Sequence, residues 1–155
     1  MEKEKFYEHK YPSISIQHYI SQCNSYDEFE KVFTDDLINE DNRIGHYLQQ
    51  LLWKYDKKAS ILSVEAMQSH SYVGKIINGQ NNNPTRNVIL CICLALGATL
   101  EETQYLLKYS GHAPLYVRKK RDVIVWFGLT KNESLDTVND NLINRGLTPL
   151  YNKDK

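Results

Sequence analysis

The apolar positions in the segment 44–55 recur with the spacing of one helical face. They step by three, one, three and one residues, the stripe of an amphipathic helix: Ile44, Tyr47, Leu48, Leu51 and Leu52. The same spacing predicts further helices near residues 14–23, 26–33, 60–67, 69–78, 85–96, 99–110, 118–130 and 134–145. Strand-like composition occurs only in the short run 123–127, so the pattern as a whole predicts an all-α chain.

Local signals mark the ends of several of these helices. Ser69 is the predicted N-cap of the short helix near 69–78, and Gly79 stands where a left-handed residue would end it. Pro84 is predicted to open the next helix, at a position where its missing N–H costs nothing. Thr99, followed three residues later by Glu102, has the spacing of a capping box.

A shift of 35 residues places the segment 86–116 on the segment 121–151 without a gap. The matches are Arg86 with Arg121, Val88-Ile89 with Val123-Ile124, Leu94 with Leu129, Leu100 with Leu135, Leu107 with Leu142, and Gly111-x-x-Pro114-Leu115-Tyr116 with Gly146-x-x-Pro149-Leu150-Tyr151. The repeat predicts a duplicated helical hairpin in which Gly ends the second helix and Leu-Tyr packs back on the core. A tetratricopeptide-like array is the alternative, but two units are fewer than the roughly three such arrays need.

The net charge of the chain is zero, but the charges are unevenly distributed. Residues 1–42 carry four Lys and ten acidic residues, whereas 43–111 and 112–155 each have a net charge of +3. Together with the repeat, this predicts an acidic N-terminal helical extension (1–42), a central domain (43–111), and a C-terminal hairpin stacked on that domain (112–155).

Cysteine usage and hydropathy exclude several classes of protein. The three cysteines, Cys23, Cys91 and Cys93, form no disulfide framework, which argues against a secreted disulfide-rich protein. The N-terminus lacks the apolar segment of a signal peptide, and no apolar run reaches the roughly 20 residues of a membrane span. We therefore expect a cytoplasmic protein that does not bind membranes.

The sequence contains no arrangement of residues that predicts catalysis. Cys91 and Cys93 are two residues apart on a predicted helix, so their thiols point about 200° apart and cannot share a metal. None of the five histidines pairs with a Cys or carboxylate at ligand spacing. No glycine-rich phosphate loop or nucleophile motif is present, so we expect no enzyme, no metal and no cofactor.

Residues 44–110 resemble the Xre, or phage-repressor-type, helix-turn-helix family. The pattern K-I-I-N-G-x(4)-P, from Lys75 to Pro84, and the segment ALGATLEET carry the resemblance. It implies a five-helix repressor-like helix-turn-helix domain, with N-terminal helices before it and a C-terminal hairpin that duplicates its last two helices. Ser63 and Met67 stand where the family usually has Ala and Gly, and the loop before Pro84 is one residue longer, which predicts a different crossing angle.

With its N-terminal helices and second hairpin, nearly the whole chain resembles small bacterial regulators of the Xre type. The resemblance implies a sequence-specific DNA-binding regulator, of the repressor type, with the helix near 69–78 in the major groove. The residues implied to contact bases are Ser69, His70, Ser71, Tyr72 and Lys75, and those implied to contact phosphates are Asn78, Gln80, Asn81, Arg86, Lys57 and Lys58. Plainer interpretations remain open: Lys75 as a solvated helix residue, His70 as a cap, and the polar string 80–83 as a turn.

The densest basic run is a secondary patch formed by Arg118, Lys119, Lys120 and Arg121. It lies at a predicted helix start, where the helix dipole disfavours cations. A phosphate backbone, or the acidic N-terminal segment in competition with DNA, would offset this charge. The alternative is a solvated surface turn.

Two other kinds of partner follow from the sequence besides double-stranded DNA. A homodimer formed through the second hairpin or the N-terminal helices would read two half-sites about one helical turn apart. Alternatively, the chain is a protein-interaction module of helix-turn-helix fold, a partner or inhibitor of a toxin, kinase or nuclease, that docks through its tyrosine-rich, acidic N-terminal region. A phage-borne inhibitor is a third alternative.

Overall fold

The computed structural model describes residues 13–33 and 42–153, and within these ranges the chain forms nine α-helices and no strand. The helices are α1 (Ser13–Gln22), α2 (Tyr26–Phe33), α3 (Arg43–Lys54), α4 (Ala59–Glu65), α5 (Tyr72–Ile77), α6 (Arg86–Leu96), α7 (Leu100–Tyr109), α8 (Lys120–Thr130) and α9 (Leu135–Asn144). The all-α prediction is thus confirmed for these residues, including the strand-like run 123–127, which lies in α8.

The chain divides into two compact units, residues 1–40 and 41–155. In the first unit, α1 packs on α2, and the rings of Tyr19 and Phe29 lie 6.4 Å apart. Much of the predicted acidic extension, residues 1–12 and 34–41, lies outside the described residues. The predicted central domain and the predicted hairpin both belong to the second unit.

The core of the second unit is built around α6. Its residues from Ile89 to Leu94 are buried, because α4 and α7 pack against it and the later helices α8 and α9 pack against it as well. The helix α3 contacts α5 and α7, and its Tyr47 ring lies 6.1 Å from that of Tyr105 and 6.2 Å from that of Tyr109. No described helix has the length and hydropathy required to cross a membrane.

The predicted capping box at the start of α7 is confirmed by both of its hydrogen bonds. Thr99 Oγ1 accepts from the N–H of Glu102 (3.1 Å), and a Glu102 carboxylate oxygen accepts from the N–H of Thr99 (2.9 Å). In the loop between α5 and α6, Pro84 is buried just before α6, and Thr85 is the N-cap. Pro84 therefore precedes the cap instead of opening the helix itself.

The Glu102 carboxylate also ties α7 to the end of α3. It accepts hydrogen bonds from Lys54 Nζ at 2.7 Å and from the Tyr55 hydroxyl at 2.5 Å. Burial alone would raise the pKa of Glu102, but these two bonds and the one from the Thr99 N–H outweigh it and hold that pKa below its ordinary value. The ionised form is therefore the one that stabilises the fold.

We expect Glu102→Gln to lower the free energy of unfolding by about 2 kcal/mol at neutral pH, because charged hydrogen bonds are lost. The folded-state pKa is depressed, so this stabilisation is fully present above the ordinary pKa of 4.5 and is lost as the pH falls through the folded value. Urea unfolding of both proteins from neutral to acidic pH measures the difference. Glu101→Gln, at an exposed neighbour, is the control; a cost for Glu102→Gln that does not change with pH would contradict the prediction.

The predicted duplication extends to individual hydrogen bonds. Arg86 donates from Nε and Nη2 to the carbonyls of residues 113 and 114, at 3.1 and 3.2 Å. Arg121 donates in the same way to the carbonyls of residues 148 and 149, at 2.8 and 3.1 Å. Each arginine at the start of a hairpin therefore fastens the Pro-containing tail that ends the same hairpin.

The tails are also held by an amide side chain in the second helix of each hairpin. Gln104 Oε1 accepts from the N–H of Leu115 (2.8 Å), and Asn139 Oδ1 accepts from the N–H of Leu150 (2.7 Å). Both leucines are buried, as predicted. The tyrosine of the first tail does not follow the prediction, because Tyr116 is 49% exposed instead of packing on the core.

Candidate nucleic-acid interface

The two helices predicted to form the helix-turn-helix, α4 and α5, are joined by a buried hydroxyl. Ser63 Oγ donates to the carbonyl of Ala59 (2.8 Å) and accepts from the N–H of Val73 (2.9 Å). The serine at this position therefore bonds directly to the first turn of α5. Whether the crossing angle differs from that of the family stays a prediction.

Met67 ends α4 in the left-handed region, with φ of +62°. The N–H of Gln68 then bonds to the carbonyl of Ser63 at 2.9 Å, which closes the end of the helix. Met67 thus adopts the backbone conformation that a glycine would favour at this position. Its side chain is half exposed.

The helix α5 begins later than the sequence predicts. Its N-cap is Ser71, and Ser69 contributes only a turn hydrogen bond, in which its carbonyl accepts from the N–H of Tyr72 at 3.0 Å. The prediction of Ser69 as the N-cap is therefore wrong. At the other end, Gly79 has φ of +85°, as predicted for a terminating glycine.

The inner side of α5 is held firmly against α3. Val73 and Ile76 are fully buried, and Asn42 Nδ2 donates to the carbonyl of Ile77 at 2.8 Å. Gly45 of α3 lies so close to α5 that a Cβ there would be 2.6 Å from the carbonyl oxygen of Ile76. These contacts determine which side of α5 faces outward.

The outer side of the segment 69–78 forms one exposed surface. Of the residues predicted to contact bases, Tyr72 is partly buried, and the others are exposed together with Asn78: Ser69, His70, Ser71 and Lys75. On a helix, positions 71, 75 and 78 share one face. The structure therefore brings these side chains together on the surface that α3 and α4 leave uncovered.

The asparagine-rich string after α5 forms a turn. Asn78 Oδ1 accepts from the N–H of Gln80 (3.0 Å), and Asn81 Oδ1 accepts from the N–H of Asn83 (3.1 Å). The N–H of Asn81 also donates to the carbonyl of Lys75 at 3.0 Å. These bonds give the string a turn-like backbone, and its contact with phosphates stays a prediction.

Three of the predicted surface cations already have hydrogen-bond or ion-pair partners among the described residues, so fewer cations are free than the sequence suggests. Arg86 forms an ion pair with the buried Asp122, with Nη2 at 3.0 Å from Oδ2, in addition to its bonds to the tail. Lys57 Nζ lies 2.9 Å from Glu65 Oε2 and donates to the carbonyl of residue 95. Arg121 fastens the second tail. Such long side chains reach partners that lie far away in sequence.

The remaining predicted cations are solvent-exposed. Lys58, Lys75, Arg118, Lys119 and Lys120 form no ion pair with any residue in the described ranges. The acidic group closest in sequence to the basic run is Asp122, whose carboxylate is committed to Arg86 and to the N–H of Tyr116.

Comparison with protein-family models, curated proteins and solved structures found no match for this chain.

A second exposed surface, which the sequence interpretation missed, lies on α3 and α4. Four large apolar side chains there are about half exposed or more: Trp53, Ile61, Val64 and Met67. Trp53 and Ile61 line one open cleft together with Lys58. The sequence could have revealed the exposure of Trp53, because position 53 falls outside the apolar stripe of the helix 44–55 and therefore faces outward.

The buried thiols offer little chemistry. Burial raises the pKa of both Cys91 and Cys93 to about 12, so both stay protonated at neutral pH. Among the residues that the structure describes, no group of three His, Cys, Asp or Glu side chains is arranged to hold a metal ion.

Proposed function

We propose that this chain is a sequence-specific DNA-binding transcriptional regulator, of the repressor type, that inserts α5 into the major groove. The observation that carries the proposal is the exposed surface of residues 69–78, on a helix whose opposite side is anchored to α3 and α4. A helix fits the major groove, and base edges are read by side chains that are held in a fixed orientation.

Each exposed side chain has a role that matches its chemistry. Lys75 would donate to O6 and N7 of guanine, while His70 and Ser71 can donate or accept hydrogen bonds. Tyr72 would pack on a thymine methyl group, and Lys58 would contact a phosphate. Because few free cations surround α5, we expect weak binding to random duplexes and a larger share of the affinity from base contacts.

Selection from a pool of random duplexes, followed by gel shift, tests the proposal. We expect one recovered motif, and we expect Lys75→Ala to weaken binding to it about tenfold by removing one base contact. The same substitution should relax the preference at a single base pair. Lys108→Ala, at an exposed lysine of α7, is the control and should stay within about twofold.

Two results would contradict the proposal. The first is a selection that recovers no motif. The second is an equal loss of affinity in the Lys75→Ala and Lys108→Ala variants, because equal losses would indicate charge alone. A palindromic motif with half-sites about one helical turn apart would indicate that the chain binds as a dimer.

A second candidate function is a protein-interaction module. The exposed apolar side chains on α3 and α4 favour it, because Trp53 and Ile61 line one cleft, and exposed apolar patches often mark protein-binding sites. A partner or inhibitor of a toxin, kinase or nuclease would use this surface. The selection experiment separates the two functions, since a protein-interaction module recovers no duplex motif.

A further inference from the structure

Three neighbouring cations in the second hairpin form an exposed basic cluster. We call Arg118, Lys119 and Lys120 the hairpin patch; all three are exposed, and none forms an ion pair with a described residue. Lys54 and Lys153, by contrast, each lie within 2.7 Å of a carboxylate oxygen. The patch therefore concentrates positive charge on the surface of the second unit.

The hairpin patch lies beside the start of α6. It leads into the first turn of α8, of which Lys120 is the first residue, and that turn is bonded to the first turn of α6 at two points. Asp122 pairs with Arg86 at 3.0 Å, and Arg121 Nη2 donates to Asn87 Oδ1 at 2.9 Å. Since α6 and α8 also pack on each other, the two helices begin side by side.

The start of α6 in turn adjoins the end of α5. Only the turn of residues 78–85 separates them, and the N–H of Asn81 in that turn bonds back to the carbonyl of Lys75. The carbonyl of Pro84 accepts a hydrogen bond from the His112 ring at 2.8 Å, which joins this turn to the segment leading into the patch. Hydrogen bonds therefore connect the end of α5, through this turn and the start of α6, to the first turn of α8.

We propose that the hairpin patch binds the phosphate backbone of the same duplex whose major groove receives α5. The inference rests on the proposed function and adds to it a second contact region, supplied by the duplicated hairpin. Phosphates fit a patch of exposed cations, and contacts to them hold a protein in register without reading sequence. The patch therefore raises affinity for every duplex and lengthens the footprint on one side of the motif.

Lys120→Glu and Lys131→Glu form a matched pair of charge reversals that tests the proposal. Lys120 is the first residue of α8 and Lys131 is its C-cap, so the two lie at opposite ends of one helix. A glutamate is favourable at a helix N-terminus and unfavourable at a C-terminus, so any loss of folding would affect the control first. Fluorescence anisotropy with the selected duplex and with a random duplex, over a range of salt concentrations, gives the affinities.

We expect Lys120→Glu to weaken binding to both duplexes by about tenfold at about 100 mM salt and to reduce the slope of log affinity against log salt by about 0.9. Lys131→Glu should stay within about twofold. Equal effects of the two reversals, or none from Lys120→Glu, would overturn the inference while leaving the proposed function intact. If the unaltered chain binds neither duplex, the proposed function itself fails and the inference with it.

Discussion

Replacing Arg86 with alanine is expected to lower the free energy of unfolding by about 3–5 kcal/mol, because it leaves a buried charge without its partner. Asp122 is only 3% exposed, and its carboxylate would keep just the hydrogen bond from the N–H of Tyr116. The same substitution releases the carbonyls of residues 113 and 114, to which the guanidinium also donates.

Urea unfolding followed by circular dichroism measures this loss, and Lys57→Ala is the control. Lys57 pairs with Glu65 at the surface, where such a pair contributes less than about 1 kcal/mol. A double variant, Arg86→Met with Asp122→Leu, should recover much of the lost stability, because it removes both charges together. If Arg86→Ala costs no more than Lys57→Ala, the buried ion pair does not contribute as argued.

The repeat is the part of the fold that the sequence predicted in most detail. Its glycines at 111 and 146 end helices with φ of +75° and +70°, and its tail leucines, Leu115 and Leu150, are both buried, so these matched residues perform the same local tasks. The ion pair between Arg86 and Asp122 was not predictable in this way. It joins one copy to the other, and the alignment of the copies holds no information about contacts between them.

The candidate interface was predicted less well, for a geometric reason. Residue type suggested Ser69 as an N-cap. However, α4 ends with the left-handed Met67 and the hydrogen bond from the N–H of Gln68. The backbone then turns again before α5 starts at Tyr72. The number of free cations was likewise overestimated. Lysine and arginine side chains are long enough to reach carbonyls and carboxylates that sequence spacing does not reveal.

Gly45→Ala is expected to lower the free energy of unfolding by about 2–3 kcal/mol, although alanine is the better helix former. The added Cβ would lie 2.6 and 2.8 Å from the carbonyl oxygens of Ile76 and Ile77, and 2.2 Å from Asn42 Oδ1. The asparagine side chain can move away, but the two carbonyls belong to the backbone of α5. The methyl group therefore forces α3 and α5 apart.

Gly74→Ala is the matched control, because a Cβ at Gly74 of α5 meets no atom within 4 Å. It should raise the free energy of unfolding by up to about 1 kcal/mol through helix propensity alone. Urea unfolding measures how each substitution changes the free energy of unfolding. If Gly45→Ala lowers it and Gly74→Ala raises it, close packing of α3 on α5 fixes the position of the exposed face. Equal signs would contradict that view, and with it the orientation of α5 on which the DNA-binding proposal depends.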